Sequence, residues 1–317
     1  MKSRLNRIVA GALALTLAAC AHLGDDDKAH PLNGKLWDVQ AQRFIDPATL
    51  GQRAATARFV LLGEIHDNQT HHEIQARLLR QLLDSGQRPA LVMEQYDRDQ
   101  QGRLDDIVRS GLAEDDRLKA LQELMRKGWE WPAYAPLLRL ALRYDLPVAA
   151  ANLSREELRS VSRHGFGALG DGERERLALD AVWTPQRQER LVKDIYDGHC
   201  GKVSQHAADA IVKAQRARDA VMADMMLKFA ERGAVAIVGS GHARRDMAVP
   251  LYLAARAPQA ALLSLGMVQV DTAQQPAAYA NGPLGRAFDY VWFTPRVQRP
   301  VDPCDTIPAA PALKQPS

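Results

Sequence analysis

The sequence contains little cysteine and few aromatic residues, and its one short apolar leader falls below membrane-spanning length. There are 3 cysteines among 317 residues, and no Cys-x-x-Cys-His motif occurs, which excludes covalent attachment of a c-type haem. Aromatic residues make up 6% of the chain. The apolar stretch at 8–17 is shorter than the roughly 20 residues that a permanent transmembrane helix requires.

A large excess of charge of one sign is also missing. The formal net charge is +3, and three basic residues, Lys2, Arg4 and Arg7, fall in the leader. Without them, basic and acidic residues are equal in number, so the remaining chain has no electrostatic preference for nucleic acid. The hydrophobic fraction of 46% and the charged fraction of 25% are typical of a globular protein. The length predicts one large domain or two smaller ones.

The N-terminus reads as an export signal. Its basic start and apolar stretch precede Leu17-Ala18-Ala19-Cys20, which resembles the lipobox of bacterial lipoproteins. We therefore predict a signal peptide at 1–19, lipidation (including palmitate) at Cys20 and a flexible tether at 20–34. The resemblance and the alanine after Cys20 favour the outer membrane, with the body facing the periplasm or the cell surface. The alternative is an ordinary signal peptide with a chance cysteine.

Two further cysteines, Cys200 and Cys304, lie about a hundred residues apart. An oxidising compartment would allow them to pair, but two distant cysteines do not define a disulfide framework. Pairing and free thiols both stay open.

Alternating strand and helix patterns predict an α/β fold with a parallel sheet flanked by helices. Short apolar runs without strict alternation indicate strands covered on both faces, at 58–63, 89–94, 146–152, 234–239 and 261–266. Thr70-x-x-Glu73 predicts a capping box, so we expect a helix to begin at Thr70. Its apolar stripe comprises Ile74, Leu78, Leu79, Leu82 and Leu83.

Two long connections are rich in helical patterns. Residues 97–144 and 153–232 are predicted to form a smaller helical subdomain of an α/β body at 35–295. The run at 290–293 predicts a last strand. The following segment, 296–317, is rich in proline, and we expect no regular structure there.

Chemically active side chains follow several predicted strands. Glu64 and His66 follow the first strand, Glu94 the second and His242 the fourth, so we expect all four at one rim of the sheet. Two imidazoles and two carboxylates suit a divalent metal, with Glu64 and Glu94 as the catalytic carboxylates of a hydrolase. The same residues also suit metal-free acid–base chemistry. Singly, each is as well explained as a structural polar residue.

A second cluster concentrates aromatic side chains. Trp129, Trp131 and Tyr134 fall within six residues, flanked by prolines. Either they pack between helices, or they form a flat apolar surface for a planar ligand or a partner subunit.

The motifs resemble those of the ChaN-type haem-binding lipoproteins over about residues 55–255. The resemblance rests on Leu61-Leu62-Gly63-Glu64-Ile65-His66-Asp67-Asn68, His71-His72, Val92-Met93-Glu94-Gln95, Trp131-Pro132-x-Tyr134-x-Pro136, Gln215-x-x-Arg218-Asp219 and Gly239-Ser240-Gly241-His242. The wider superfamily includes TIKI- and TraB-like proteins, which share paired Gly-x-x-His motifs. Gly63–His66 and Gly239–His242 match them here, and the superfamily includes metalloproteases.

The resemblance implies an α/β domain with a smaller helical domain, and a homodimer enclosing two ferric haems. One tyrosine of each subunit would ligate the iron, since a phenolate favours the ferric state. The ligands that we consider, in order of preference, are Tyr134, Tyr196 and Tyr96.

We therefore expect an outer-membrane, lipid-anchored haem-binding protein that serves iron acquisition, with an outer-membrane haem receptor as a further partner. The alternative is an enzyme, a metal-dependent hydrolase or peptidase, with Glu64, His66, Glu94 and His242 at its centre.

Overall fold

A computed structural model describes residues 30–271, 279, 282 and 287–307. The predicted signal peptide, Cys20 and residues 308–317 of the proline-rich tail lie outside the described residues. The strands and helices are β1 (Leu36–Asp38), β2 (Arg43–Ile45), α1 (Pro47–Thr56), β3 (Phe59–Glu64), α2 (Gln69–Asp84), β4 (Ala90–Asp97), α3 (Gln101–Arg109), α4 (Glu114–Leu124), α5 (Trp131–Arg143), β5 (Val148–Asn152), α6 (Arg155–His164), α7 (Asp171–Arg176), α8 (Pro185–Gly198), α9 (Gln205–Leu227), β6 (Ala234–Gly239), α10 (Val249–Arg256), β7 (Leu262–Gln269), β8 (Tyr290–Thr294) and α11 (Pro303–Thr306).

Eight strands form one sheet in the order β2-β1-β8-β7-β3-β6-β4-β5. The six strands from β8 to β5 run parallel, and β1 pairs antiparallel with both β2 and β8. The predicted parallel sheet flanked by helices is confirmed. Among the described residues, no helix combines the length and apolar character that crossing a membrane requires.

Strand β3 lies in the middle of the sheet and supplies side chains to two cores. Val60 and Leu62 belong to the core under helices α1–α5. Phe59 and Leu61 belong to the core on the opposite face, which α6, α9 and α10 cover. Every residue of β3 is buried. Burial on both faces explains why its sequence is a continuous apolar run rather than an alternating one.

The two predicted helical stretches pack differently from each other. Helices α3–α5, from 97–144, contribute to the large core beneath α1 and α2. Within 153–232, α8 and the first half of α9 form a small cluster of buried residues together with Met247, which follows β6. Its buried members are Leu191, Ile195, Ala208, Val212 and Met247. The predicted limits of a helical subdomain stay a prediction.

Helix α2 begins one residue earlier than expected, at Gln69. Its cap is Asn68, whose side chain accepts a hydrogen bond from the Thr70 backbone N–H at 3.0 Å. The prediction that Thr70 caps the helix is wrong, because Asn68 is an equally good capping residue and lies at the end of the preceding turn.

The body extends further at both ends than the sequence predicts. Leu32, assigned to the tether, is buried in the core, and the Gly34 N–H donates to the Phe293 carbonyl at 2.9 Å. Within the segment expected to be irregular, 303–306 form α11. A disulfide joins Cys200 to Cys304, with a Cα–Cα distance of 5.7 Å. This bond fixes the C-terminal segment to the end of α8.

Candidate functional site

The parallel strands β3, β6, β4 and β5 are neighbours, so their carboxyl ends form one rim. Glu64 is the last residue of β3 and Gly239 the last of β6. Glu94 lies in β4, where the pairing register with β5 shifts between Met93 and Asp97. The register shift falls within the polar second half of the strand, which contains Glu94, Gln95 and Asp97. Both carboxylates are buried, each 2% exposed.

Glu64 is the centre of a hydrogen-bonded group on the α1–α5 side of the rim. Its carboxylate accepts hydrogen bonds from the Tyr134 hydroxyl at 2.6 Å, the Gln75 amide at 2.7 Å and the His66 Nδ1 at 2.9 Å. The His72 Nδ1 lies 3.2 Å from its second oxygen. Helices α2 and α5 therefore supply most of the groups that hold this carboxylate.

These partners keep Glu64 ionised in spite of its burial. Burial opposes ionisation, but the hydrogen bonds from His66 and His72 prevail and lower the pKa of Glu64 to about 2. The pKa of His72 shifts the other way: burial lowers it, but the hydrogen bond to Glu64 outweighs that and raises it overall. Since the His72 Nε2 contacts the His66 carbonyl at 3.0 Å, both ring nitrogens act as donors when the imidazole is charged. When both nitrogens of His72 carry protons, His72 and Glu64 form a buried ion pair.

Glu94 is the centre of a second group, on the α6–α10 side of the rim. It pairs with the Arg218 guanidinium and accepts a hydrogen bond from the Gly239 backbone N–H at 2.7 Å. The His242 Nε2 lies 3.6 Å away, and the His242 Nδ1 contacts Asp219 at 2.6 Å. Burial raises the pKa of Glu94, whereas His242 and Arg218 outweigh it and lower the pKa overall.

Arg218 and Asp219 belong to this second group, and the sequence alone predicted no role for either. They lie in the middle of α9, and Asp219 is buried. Burial raises the pKa of Asp219, while His242 opposes that shift. The sequence offers one sign of these residues, an adjacent arginine and aspartate directly before the buried run of α9. Nothing local in the sequence shows that α9 crosses the rim.

His66 lies between the two groups. Its side chain is 48% exposed, although its partner Glu64 is fully buried. The ring packs edge-on against Trp129, with 4.3 Å between centroids. A Cβ atom at Gly239 would lie 2.9 Å from the His66 ring and 3.7 Å from Glu94, so a larger residue there would displace the ring. The structure thus brings His66, Glu64, Glu94 and His242 to one rim.

The donor set at this rim does not fit a metal ion. Within the described ranges, no group of three or more His, Cys, Asp or Glu side chains is arranged to hold one. Glu64 and Glu94 instead accept hydrogen bonds from an amide, a phenol, a guanidinium and a backbone N–H. The predicted metal site therefore has no support in the arrangement of its own residues.

His71 has a structural role and provides a test of the buried rim. It is fully buried; its Nδ1 accepts from the Ile65 N–H at 2.8 Å, and its Nε2 contacts the Thr294 hydroxyl at 2.7 Å. Burial lowers its pKa to about 3. An unfolded chain protonates this residue near 6.5, so its contribution to stability is complete above that pH and declines as pH falls toward 3.

We expect His71→Asn to flatten the pH dependence of the free energy of unfolding. Asparagine retains a hydrogen-bond acceptor but does not titrate. Between pH 6 and pH 4 the slope is expected to fall by up to about 1.4 kcal/mol per pH unit, which is the value for one proton. Urea unfolding at several pH values measures this slope. The exposed His164→Asn is the control; if the His71→Asn and wild-type curves run parallel, the assignment is wrong.

The three tyrosines considered as haem ligands differ sharply in accessibility. Tyr134 and Tyr96 are fully buried; their hydroxyls donate to Glu64 at 2.6 Å and to the Leu121 carbonyl at 3.0 Å. Burial raises the pKa of both phenols, and Glu64 adds to the shift at Tyr134. Tyr134, our first choice, therefore cannot reach a haem iron in this conformation. Its place between Glu64, His72 and Trp129 shows that the aromatic cluster packs against the rim.

Tyr196 is 48% exposed and lies in the last turn of α8. All seven tyrosines are among the described residues, and Tyr196 is the one whose side chain is classed as exposed. Its hydroxyl lies over Gly201, where a Cβ atom would come within 3.1 Å. Gly201 has a φ of +70°, and the adjacent Cys200 forms the disulfide. The turn after α8 thus holds this phenol at the surface.

The chain is similar to a known protein family and to several solved structures. The family model described as "Haem-binding uptake, Tiki superfamily, ChaN" matches residues 50–253. A solved structure, "Cofacial heme binding to ChaN of Campylobacter jejuni", superposes with a TM-score of 0.66 at 19% identity, covering 81% of this chain and 95% of that chain. A structure of the erythromycin esterase EreC superposes with a TM-score of 0.43 at 13% identity, covering 75% of this chain and 76% of that chain. No curated protein matches.

Proposed function

The chain belongs to the haem-binding uptake family of the Tiki superfamily, the family of ChaN, and we propose on this basis that it binds ferric haem through Tyr196. The observation that carries the proposal is the exposure of this one phenol. An anionic phenolate favours ferric over ferrous iron, which suits a protein that holds haem and releases it. The other two tyrosines that we considered are enclosed by protein.

Two features of the segments joined by the disulfide support haem as the ligand. Val301, three residues before Cys304, is 51% exposed, and the disulfide ties its segment to the end of α8. Lys202 follows the turn after α8, and its ammonium donates to the Cys304 carbonyl at 2.5 Å. An exposed apolar side chain and a cation match the two properties of haem, an apolar ring with carboxylate side chains.

We further propose that haem binding creates a homodimer. One tyrosine ligates one face of the iron and leaves the other face of the ring open to water. A second subunit that brings its own haem against this face would bury both rings. The name of the Campylobacter jejuni ChaN structure describes cofacial heme binding to that protein, which supports the same arrangement here.

Titration with haemin tests this proposal. We expect saturable binding at one haem per subunit, a high-spin ferric spectrum with a phenolate charge-transfer band, and doubling of the mass measured by sedimentation. The measurement uses the full mature chain. Absence of saturable binding would overturn the proposed function, and saturation without dimerisation would overturn the cofacial arrangement.

The cellular setting is also a proposal. The lipobox-like segment supports an outer-membrane anchor at Cys20, where the protein would serve haem or iron acquisition together with an outer-membrane haem receptor. Stable anchoring requires two membrane-binding signals, as a multiply acylated cysteine provides.

We expect Cys20→Ala to release the protein from membranes and to prevent removal of 1–19. Removing the thiol removes the attachment point of the acyl chains. Fractionation of cells followed by mass spectrometry of the N-terminus measures both effects. The Cys200→Ala variant is the control for loss of a cysteine as such. If Cys20→Ala stayed in the membrane fraction with normal processing, the lipobox interpretation would be wrong.

A further inference from the structure

The turn that ends α8 holds both the backbone and the side chain of Tyr196. The Gly201 N–H donates to the Tyr196 carbonyl at 2.9 Å, and the Cys200 N–H donates to the Asp197 carbonyl at 2.9 Å. These two bonds are those of a Schellman motif, which closes the C-terminus of a helix. The Tyr196 hydroxyl lies over Gly201 as well. The position of this phenol therefore depends on the conformation of the turn.

Cys200 occupies the position of this motif that is usually a glycine. Its φ is +55°, in the left-handed region, which is unfavourable for a residue that has a Cβ atom. The side chain that causes this cost is the one that is bonded to Cys304. The covalent bond therefore opposes the relaxation of a turn that a free cysteine would destabilise.

Two polar contacts accompany the disulfide in the C-terminal segment. The Arg299 guanidinium pairs with both oxygens of the Asp67 carboxylate, at 2.6 and 2.7 Å, and the Lys202 ammonium donates to the Cys304 carbonyl. Ion pairs at the surface contribute little to stability, and long side chains adapt to a moving partner. The disulfide is the covalent connection among these three, so it fixes the segment to the turn.

The disulfide is also open to chemical attack. Cys200 and Cys304 are both half-buried, so solvent reaches each residue. A thiolate can attack a disulfide at the surface, whereas a core excludes it. The bond that holds the turn is therefore within reach of a reductant.

We propose that this disulfide is a redox site that controls haem binding at Tyr196, and that a dithiol which reduces it weakens the binding. This inference rests on the proposed role of Tyr196 as the haem ligand. One thiolate of the dithiol bonds to a cysteine sulfur, and the bond between Cys200 and Cys304 breaks. The second thiolate then displaces that cysteine and closes the disulfide of the reagent. Two electrons pass to the protein, and each of its two cysteines takes up one proton.

Reduction acts on the phenol through the turn. Without the bond to Cys304, Cys200 leaves the left-handed conformation more readily, and Gly201 moves with it. The Tyr196 ring then loses the backbone against which it packs. The apparent Kd for haem rises in inverse proportion to the fraction of chains that keep the phenol in place.

Haemin titration of the full chain in two redox states tests the proposal. One sample is reduced with dithiothreitol and alkylated with iodoacetamide. The reagents are removed before haemin is added, because thiolates ligate haem iron themselves. We expect the Kd of the reduced sample to be about tenfold higher than that of the oxidised one, as if one chain in ten kept the phenol in place. The double variant Cys200→Ser/Cys304→Ser should have the higher Kd without treatment and should not respond to the reagents.

A second double variant separates the turn from the C-terminal segment. Cys200→Gly/Cys304→Ser lacks the disulfide too, but glycine adopts the left-handed conformation without strain. We expect its haemin affinity to lie closer to that of oxidised wild type than to that of the serine variant. If it binds haemin as weakly as the serine variant, the turn is not the link and the proposal is overturned.

Amide hydrogen exchange over residues 196–202 gives a readout that does not need haem. The Gly201 N–H is expected to exchange faster after reduction, because its bond to the Tyr196 carbonyl depends on the turn. If oxidised wild type binds no haemin, the proposed function fails, while faster exchange would still support control of the turn by the disulfide. Equal or tighter haemin binding after reduction, or unchanged exchange, overturns the inference drawn here.

Discussion

Replacing Tyr196 with phenylalanine is expected to weaken haemin binding by about tenfold or more and to remove the phenolate charge-transfer band. The substitution deletes the phenol oxygen that we propose as the iron ligand and keeps the ring. A tenfold loss corresponds to about 1.4 kcal/mol. Because the side chain is 48% exposed, the free energy of unfolding is expected to change by no more than about 0.5 kcal/mol. Spectrophotometric titration measures affinity and spectrum together.

The control is Tyr144→Phe. Tyr144 is half-buried, and its hydroxyl accepts a hydrogen bond from Arg80 at 3.1 Å. The Tyr144→Phe substitution removes the same atom from a different tyrosine, so its haemin binding should match that of wild type. If Tyr196→Phe binds haemin with an unaltered spectrum, Tyr196 is not the ligand. A buried phenol would then have to become accessible, and Tyr134→Phe would be the next variant to measure.

Replacing Glu64 with leucine is expected to destabilise the fold by about 3–5 kcal/mol. The substitution leaves the His72 imidazole, the Gln75 amide and the Tyr134 hydroxyl buried without their common acceptor. Removing one partner of a buried ion pair has an effect of this size. Equilibrium unfolding in urea at pH 7 measures it.

Two variants test the cause of this loss. Glu73→Gln removes an exposed carboxylate from α2, the helix that supplies His72 and Gln75, and is expected to change stability by less than about 0.5 kcal/mol. Glu64→Gln keeps the shape of the side chain and one acceptor oxygen. Its loss of stability should therefore lie between those of Glu64→Leu and Glu73→Gln. If Glu64→Leu were as stable as wild type, the ion pair with His72 would not be part of the native state.

Much of the fold follows from local patterns in the sequence. The strand at 234–239 is predicted with its observed limits, because glycine bounds an apolar run at its end. Strand β4 extends three residues beyond its predicted end, since Glu94 and Gln95 read as the end of an apolar run. Glu94 remains in the strand because the Arg218 guanidinium and the Gly239 backbone N–H, which come from other elements, compensate for its charge. The Gln95 amide is buried without a hydrogen-bond partner among the described residues.

The convergence of Glu64, His66, Glu94 and His242 was also predictable, since carboxyl ends of parallel strands share one edge. The role of these four residues at the rim could not be predicted. Spacing showed a set of ligating atoms, but Arg218, Gln75 and Tyr134 arrive from helices whose approach no local pattern reveals. Those residues occupy the carboxylate oxygens that a metal would need. The burial of Tyr134, the first tyrosine that we considered, could not be predicted for the same reason, because aromatic clustering does not distinguish a core from a surface.

The two cores on either side of β3 make the length of that strand a constraint on the whole molecule. Inserting one residue near its start would turn Val60 and Leu62 toward the α6–α10 layer and Phe59 or Leu61 toward α1–α5. It would also carry Glu64 away from His72 to the opposite face. A deletion would do the same. Insertions and deletions are therefore expected to accumulate in the helical connections of related chains, whereas β3 evolves by substitution alone.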